Sequence, residues 1–421
     1  MNAPAASAVI AETSVRYEGW RIVGVCFVMA TMSWALGFYG QSVYLAELQR
    51  VHGWPASLIS TATTFFYLFG ALLVAFFSEA MRAFGPRNCL IAGTVIMAVA
   101  TALLGRITQP WQLYAVYALL ACGWAGTSLG AITTTLGLWF DQKRGMAISL
   151  SLNGASFGGV AGVPLLVVAI GAFGFAGATL AAAIVMVAVL VPVLLLFVGA
   201  PPVRPRPATG PDIETLTSRQ IRAQAFRDPA YLTLTIAYAL VLFAQVGFIV
   251  HVISFLDPII GRERAAIAVA LLTAMAMIGR VVVSTFVDRL NQRLASAALF
   301  LSQSIALLIV ITSRDEMLLF FACGLFGFSV GNLITLPALI VQREFPPLSF
   351  GVLVSLLTAI TQTTYAFGPG ILGLLRDATG SYTMPFAICV ALQLMAAALI
   401  LIRRRVTPPA PSSGHPDRAA A

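Results

Sequence analysis

The sequence predicts an all-α membrane protein in which twelve transmembrane helices form two pseudo-symmetric six-helix bundles. Three observations predict this fold class. The first is composition, since 59% of the 421 residues are hydrophobic and 10% are charged, whereas a soluble domain carries about 25% charged residues. The second is length, because twelve spans of about 20 residues need roughly 240 residues and leave room for short loops. The third is a basic turn that occurs once in each half of the chain.

Composition also excludes several classes of function. The formal net charge is +9, but the basic residues lie between apolar segments and form no patch, which indicates a membrane orientation signal instead of a nucleic-acid surface. The five cysteines all fall in apolar segments without a Cys-x-x-Cys pair, which predicts free thiols and no metal site. Glycine-rich segments lie inside apolar helices and not between a strand and a helix, so no phosphate loop is expected. We therefore expect neither an enzyme nor a cofactor.

Six spans are predicted in the first half of the chain. Residues 1–19 are polar and are predicted to be a cytosolic tail. Trp20 opens the first apolar segment at the membrane interface, and Pro55 suits the first turn of the second helix. Turns that contain charges, glycine and proline separate the later segments. The predicted spans are residues 20–46, 55–80, 88–106, 110–140, 145–170 and 174–199.

A linker separates these spans from the second half. Residues 200–229 hold five arginines, and five prolines occur between positions 201 and 211, which predicts a cytosolic linker with a short amphipathic helix at about 213–226. Asp228 and Pro229 suit the N-cap and first turn of the seventh span. The remaining predicted spans are residues 230–256, 264–287, 292–312, 316–341, 348–375 and 381–403. The two bundles are thus residues 20–199 and 230–403, and residues 404–421 form a second cytosolic tail.

The distribution of Lys and Arg predicts the orientation. With both termini in the cytosol, the inner segments carry 18 of these residues and the outer loops carry six. Because positive residues concentrate on the cytoplasmic side, this bias predicts cytosolic termini.

The basic turn repeats at a constant offset. Residues 82–87 and 288–293 superpose at an offset of 206 residues, with Arg87 on Arg293 and Gly85 on Asn291. Each turn follows the second span of its half. Two repeated halves joined by a long loop are typical of secondary transporters whose site lies between the halves at mid-bilayer.

Arg280 is the candidate substrate-binding residue. It lies eight residues before Asp288, which places it about 12 Å inside the helix end and near the middle of an apolar core about 30 Å thick. An arginine at that depth costs roughly 2.5–3.5 kcal/mol and needs a partner. That partner is an anionic substrate or, alternatively, backbone carbonyls in a structural role. The equivalent residue of the first half is Val74, so a single cation would face apolar walls, an arrangement that suits one anionic head on an apolar body.

These residues resemble the major facilitator superfamily over about 20–403. The family's loop signature is similar to the stretch from Gly279-Arg280 to Arg293, whereas in the first half Arg82 occupies the usual aspartate position and Gly85-Pro86-Arg87 remains. The resemblance implies alternating access controlled by the residues of these turns and of the fourth loop. The expected conformational residues are Asp288, Arg289, Arg293, Gly85, Arg87, Lys143, Arg144, Gly368 and Pro369. Gly368 and Pro369 are included because Gly-Pro-Gly is expected to break or kink the eleventh span.

A finer resemblance concerns the branch within the superfamily. The stretch 139–147, followed by Gly154 and Gly158, is similar to the monocarboxylate and oxalate:formate transporters. That resemblance implies that Arg280 contacts a substrate carboxylate, and the absence of Lys and Arg from residues 348–375 argues for one carboxylate only. The stretch 362–380 also resembles cyanate-permease-like members, which keeps a small inorganic anion as an alternative.

Polar residues in apolar segments complete the predicted site. His251 is the only histidine in such a segment, and it is either a proton carrier and substrate contact or a hydrogen-bonded residue between helices. All 16 acidic residues fall in tails, loops or helix ends, so proton coupling would use His251, a proton shared with the substrate at Arg280, or no proton at all. The other expected substrate contacts are Tyr39, Gln41, Gln245, Asn332, Gln362 and Tyr365.

We therefore expect a monomeric, multi-pass secondary transporter of the cytoplasmic (inner) membrane that moves a small organic anion, most simply a monocarboxylate. Its partners would be this anion, the bilayer and, in the coupled versions, a proton. Two alternatives stay open. One is an exporter of drugs or metabolites in which Arg280 is structural, and the other is a transporter-like receptor or sensor.

Overall fold

The computed structural model describes Glu12, Ser14 and residues 17–199, 217–286, 291–346 and 349–402. Within these ranges the chain forms sixteen α-helices and two π-helical segments, with no β-strand. Ten helical stretches are long and apolar enough to cross a membrane. The expected all-helical fold is thus confirmed, whereas the count of twelve crossings and the side on which the termini lie stay predictions.

The first half begins with a single long helical stretch. It is interrupted by a π-helical segment at Trp34–Tyr39, and a second π-helical segment occurs at Gly158–Gly162. The α-helices of this half are α1 (Gly19–Ser33), α2 (Gly40–His52), α3 (Ala56–Phe84), α4 (Pro86–Leu104), α5 (Pro110–Ala125), α6 (Leu129–Trp139), α7 (Arg144–Phe157) and α8 (Val163–Phe197).

The second half follows a short polar helix. That helix, α9, spans Ser218–Ala225, and the Thr217 hydroxyl accepts from the backbone N–H of Gln220 at its start. The helices after it are α10 (Pro229–Ile260), α11 (Arg262–Phe286), α12 (Gln292–Thr312), α13 (Glu316–Val330), α14 (Leu336–Glu344), α15 (Phe350–Thr379) and α16 (Thr383–Leu401).

The offset of 206 residues relates the helices of the two halves, not only the basic turns. It carries the first residue of α3 onto that of α11 (262 minus 56), and it does the same for α4 and α12, α5 and α13, and α7 and α15. The two halves therefore share one order of helices and one spacing of turns.

The same offset relates Gly174 within α8 to Gly380 at the end of α15. Gly174 interrupts α8 with φ 70° and ψ 171°, and its equivalent at this offset, Gly380, ends α15 with φ 70°. Left-handed backbone of this kind favours glycine because other residues carry a Cβ. Since α8 would be about 52 Å long at 1.5 Å per residue, the chain turns back at Gly174 as it does between α15 and α16.

Several predicted boundaries are corrected by the structure. The fourth and tenth spans are each two helices, because Gly126–Ser128 and 331–335 interrupt them. The backbone of Gly331 packs so closely on the Ala276 carbonyl that a side chain would not fit. Of the amphipathic helix expected at 213–226, the structure shows Ser218–Ala225, and 213–216 lie outside the described residues.

The first span is longer than predicted, because α2 continues beyond residue 46 to His52, and Glu47 forms an ion pair with Arg50 one turn later. The eleventh span was expected to break or kink at Gly-Pro-Gly. It does not break, since α15 runs from Phe350 to Thr379 with Pro369 inside it, and a kink there stays a prediction. Proline removes one backbone donor, and the neighbouring Gly370 N–H instead donates to Thr64 of α3 at 3.1 Å.

The alternation of helices defines two ends of the molecule. At the terminal end the chain enters at residue 17 and leaves at residue 402. At the opposite, distal end α2, α10 and α15 finish, and α3, α11 and α16 begin.

Arg293 holds the second half together at the terminal end. Its side chain is 4% exposed and forms a bidentate pair with Glu344 of α14, with Nε–Oε1 at 2.9 Å and Nη2–Oε2 at 2.8 Å. It also donates to the carbonyls of Ala230 in α10 at 2.8 Å and Ile400 in α16 at 3.2 Å. One guanidinium thus joins four helices. Its equivalent, Arg87, is exposed.

Replacing Arg293 should therefore destabilise the protein. Arg293→Ala leaves the Glu344 carboxylate and two carbonyls without their donor, and removal of one partner of a buried ion pair costs about 3–5 kcal/mol. Thermal unfolding of the purified protein should show a Tm lower by several degrees. Arg87→Ala is the matched control, and equal Tm values for the two variants would show that the pair does not hold the bundle.

Candidate functional site

Arg280 lies where the two halves meet. It belongs to α11, is half-buried, and faces α7 of the first half, against which α11 packs. Its Nη1 donates to the Asn153 side-chain oxygen of α7 at 3.3 Å, and its Nε donates to the Gly331 carbonyl of its own half at 3.4 Å. The guanidinium therefore bridges both halves through two long hydrogen bonds.

Among the residues that the structure describes, no acid forms an ion pair with Arg280. Five other arginines do have such a pair: Arg50 and Arg262 with Glu47, Arg264 with Glu316, Arg293 with Glu344 and Arg376 with Asp377. A guanidinium carries five N–H donors in a planar fork that matches a carboxylate. With neutral partners for two bonds, Arg280 retains both its charge and the donors to hold an anion.

Tyr39 lies at the same junction of the two halves. It ends the first π-helical segment and is 4% exposed. Its ring packs on Gly159 of the second π-helical segment, and a Cβ at Gly159 would overlap both Tyr39 and Thr273 of α11. Glycine is thus required at position 159 for α11 to approach the first half this closely.

An aromatic row continues from Tyr39 across the junction. The ring of Phe38 lies 5.1 Å from that of Tyr39 and 6.1 Å from that of Tyr67 in α3. Tyr67 then meets Tyr365 of α15, with ring centroids 5.7 Å apart and an interplanar angle of 85°. We call the surface formed by Arg280, Tyr39, Tyr67 and Tyr365 the seam. Gln362 lies one turn before Tyr365 on α15.

Three predicted site residues make other contacts. Gln41 is buried in the first half, where its Nε2 donates to the Gly37 carbonyl and its Oε1 accepts from Thr63, both at 3.2 Å. Asn332 is 1% exposed and donates to the Phe328 carbonyl at 3.1 Å.

Gln245 belongs to a chain of three buried glutamines. Gln303 of α12 donates to Gln245 of α10 at 2.9 Å, and Gln393 of α16 donates to Gln303 at 2.9 Å. Bonds of this kind are typical of helix association in membranes. Substrate contact by Gln41, Gln245 and Asn332 stays a prediction.

His251 is fully buried between α10 and α15. Its Nε2 lies 3.0 Å from the Pro369 carbonyl and its Nδ1 lies 3.2 Å from the Tyr382 hydroxyl. A carbonyl only accepts, so Nε2 carries the hydrogen, and Nδ1 of the neutral ring accepts from the tyrosine. Both nitrogens therefore have protein partners, as expected of a histidine that links helices.

The predicted conformational residues lie mostly at the terminal end. Gly85 follows α3 with φ 82°, and Arg87 lies in the first turn of α4 in an exposed position. The backbone N–H of Lys143 donates to Glu12 at 3.0 Å, and Arg144 donates to the Thr133 carbonyl at 3.4 Å. Asp288 and Arg289 lie outside the described residues. Gly368 packs against the backbone of α10, where a Cβ would overlap the Phe243 carbonyl.

The structure reveals a set of contacts between the halves at the distal end that sequence reasoning missed. Glu47 of α2 is 1% exposed and forms an ion pair with Arg262 of α11 at 2.8 Å. Asp377 of α15 accepts from the backbone N–H of Ser57, in the first turn of α3, at 2.7 Å. We call these two contacts the distal latch.

At the terminal end, two polar contacts between described residues lie within one half, Tyr17 with Trp139 and Arg293 with Glu344. Among the described residues, the distal end carries the ion pair and the helix cap that join the two halves. One sequence signal for the latch exists, the i, i+3 spacing of Glu47 and Arg50 on a continued helix; no local signal points from Ser57 to Asp377, 320 residues away.

Loss of the latch should open the distal end. Glu47→Gln combined with Asp377→Ala removes an ion pair and a charge-assisted helix cap, and hydrogen bonds to charged groups contribute about 1.5–3 kcal/mol each. We expect the ratio of open to closed molecules to rise roughly tenfold or more. Spin labels at Thr108→Cys and Met317→Cys, in a background without the native cysteines, should report longer distances by double electron–electron resonance.

Arg264→Ala is the matched control for this measurement. It breaks the exposed pair with Glu316, which lies at the same end but within one half. A distance distribution that moves equally in both variants would show that the latch does not hold the halves together.

Comparison with known proteins identifies the fold. The family model of the Major Facilitator Superfamily matches residues 23–351. The fold of this chain is similar to that of a bacterial homolog of the human lysosomal transporter Spinster in an inward-facing and unoccupied conformation. The TM-score is 0.74, and the identity is 14% over 92% of this chain and 97% of that one. The fold is also similar to that of the nucleoside transporter NupG, with a TM-score of 0.73 and 11% identity over 91% and 98% of the two chains.

Relatives in sequence are fungal transporters. The MFS-type transporter pynF of Aspergillus niger is 25% identical over 378 residues, which cover 88% of this chain and 83% of the relative. The aspyridones efflux protein apdF of Emericella nidulans is 23% identical over 370 residues, which cover 85% and 71% of the two chains.

Proposed function

This chain belongs to the Major Facilitator Superfamily, and on that premise we propose that it moves a small organic anion, a monocarboxylate, across the cytoplasmic membrane. Secondary transport across a membrane is what the family does. The substrate class rests on one observation, which is the guanidinium of Arg280 at the junction of both halves without an acid among the described residues. The transporter works as a monomer, since both halves of the site belong to one chain.

Anion binding explains the partners that Arg280 has. A carboxylate between the halves would replace the long bonds to Asn153 and Gly331 with shorter, charge-assisted ones. Because Asn153 and Arg280 come from different halves, the substrate contacts both at once. Such a bridging ligand is what alternating access requires of a site at the repeat interface.

The distal latch supplies the other element of the cycle. With the termini in the cytosol, as the excess of basic residues indicates, the latch closes the outer side while the seam communicates with the cytosol. Transport then proceeds by rocking of the halves, in which Glu47–Arg262 and Asp377–Ser57 separate as the terminal end closes.

Proton coupling, if the cycle uses it, runs through the substrate carboxylate at Arg280. The alternative through His251 is disfavoured by the two protein partners of its ring at 3.0 and 3.2 Å. An exchange cycle without a proton is the remaining version.

A second candidate function is the export of larger metabolites with Arg280 in a structural role. It is favoured by the likeness to the aspyridones efflux protein and by the two bonds that Arg280 already makes within the protein. Under this function, Arg280→Ala would fold less stably but would retain transport.

The substrate class is tested by thermal shift on purified protein. At 100 times Kd, a bound monocarboxylate stabilises the folded state by about 2.7 kcal/mol, and the Tm of the wild type should rise accordingly. Arg280→Ala should lose this shift because the guanidinium is gone. Arg87→Ala removes an exposed cation from the basic turn of the first half, and this variant should keep the shift in Tm. Stabilisation by neutral or cationic compounds alone would favour the exporter.

The coupling route is tested with His251→Gln in proteoliposomes. Glutamine keeps a donor and an acceptor in the buried position but cannot become a cation. We expect substrate-dependent proton movement, followed with an internal pH dye, to keep its wild-type ratio to substrate flux. Loss of proton movement with persisting substrate flux would instead assign the proton to His251.

A further inference from the structure

The hydroxyl of Tyr67 is a buried donor whose role the fold does not explain. Tyr67 is 3% exposed, and its Oη has no hydrogen-bond partner among the residues that the structure describes. A buried polar group without a partner is unfavourable, and native proteins contain few of them. The position of the group therefore points to a partner that is not part of the protein.

The ring of Tyr67 meets a ring of the other half. It packs edge to face on Tyr365 of α15 at 5.7 Å and lies 6.1 Å from Phe38, which in turn lies 5.1 Å from Tyr39. Tyr39 packs on Gly159 beside Thr273 of α11, the helix that carries Arg280. Tyr67 thus belongs to the row of aromatic side chains that leads toward the helix of the cation.

Two other tyrosines show what distinguishes this one. Tyr44 and Tyr117 are also fully buried with hydroxyls that lack a hydrogen-bond partner among the described residues. Their aromatic neighbours, Phe175 at 6.4 Å and Phe66 at 6.3 Å, belong to the first half. Of the three, Tyr67 is the one whose ring pairs with an aromatic ring of the opposite half among the described residues.

From this arrangement, and resting on the proposed function, we infer that the anion is an aryl carboxylate whose ring carries an oxygen acceptor, and that Tyr67 donates a hydrogen bond to that oxygen. The carboxylate binds Arg280. The body then extends along Phe38, Tyr39, Tyr67 and Tyr365, whose rings come from both halves. Aromatic rings prefer the offset and edge-to-face contacts that such a wall offers, and Tyr67 acts as a specificity-determining residue.

The test compares three probe anions of similar size by isothermal titration calorimetry on the full-length protein. Cyclohexylacetate carries a saturated ring, phenylacetate an aromatic ring, and 4-hydroxyphenylacetate an aromatic ring with an oxygen. The wild type should bind phenylacetate more tightly than cyclohexylacetate. It should bind 4-hydroxyphenylacetate roughly three- to tenfold more tightly than phenylacetate, the range expected of one net hydrogen bond.

Tyr67→Phe isolates the hydroxyl. In this variant the preference for 4-hydroxyphenylacetate over phenylacetate should fall to about one, since a net hydrogen bond accounts for the difference. Phenylacetate itself should bind as in the wild type, which also reports that the variant is folded. Tyr44→Phe is the matched control, because it removes a buried hydroxyl of the first half, and it should keep both wild-type ratios.

The outcomes separate the inference from the proposed function. If Arg280→Ala abolishes binding but Tyr67→Phe leaves the ratios unchanged, or the wild type shows no preference for the aromatic ring, the inference is overturned and the proposed function stands. If none of the three probes binds while another monocarboxylate stabilises the wild type in the thermal-shift test, the inference is overturned and the proposed function stands. If all three bind equally well to Arg280→Ala, the proposed function fails and the inference fails with it.

Discussion

The requirement that a charge inside an apolar bundle have a partner governs this structure. Arg293 meets it with Glu344 and two carbonyls, and Glu47 meets it with two arginines. These groups are saturated, and they hold helices together. Arg280 differs because its partners among the described residues are neutral and lie at 3.3 and 3.4 Å. The same physical constraint thus produces structural clamps where it is fully met and a candidate binding site where it is only partly met.

The two halves use one scaffold for different chemistry. An offset of 206 residues relates the starts of their helices and the left-handed glycines 174 and 380. At that offset, Val74 occupies the position of Arg280 and packs against Gly130, while the exposed Arg87 occupies the position of the buried Arg293. Shape is therefore inherited from the repeat, whereas the cation within the span occurs at Arg280 and not at Val74. Under the proposed function, this asymmetry orients an anion by its charged head.

How far the sequence could predict the site depends on the range of each interaction. The depth of Arg280 was predicted by counting residues to the end of its helix, and Tyr39 and Tyr365 were predicted as site residues from their polarity in apolar spans. Both tyrosines lie where the two halves meet. His251 and Gln245 had the same local signature, yet both are satisfied by neighbouring helices. Polarity in an apolar segment indicates that a partner exists, but it does not indicate whether that partner is protein or substrate.

The sequence by itself determined the helices, their repeat and the one cation near the middle of a span, because hydropathy, turn residues and residue counts are local properties. Only the tertiary structure decided which groups meet. Asn153 reaches Arg280 across 127 residues and Asp377 reaches Ser57 across 320, and a Cβ at Gly159 would overlap side chains of both halves. Contacts of this range depend on how the two bundles pack against each other. A sequence pattern within one helix does not predict which residues of a distant helix will lie against it.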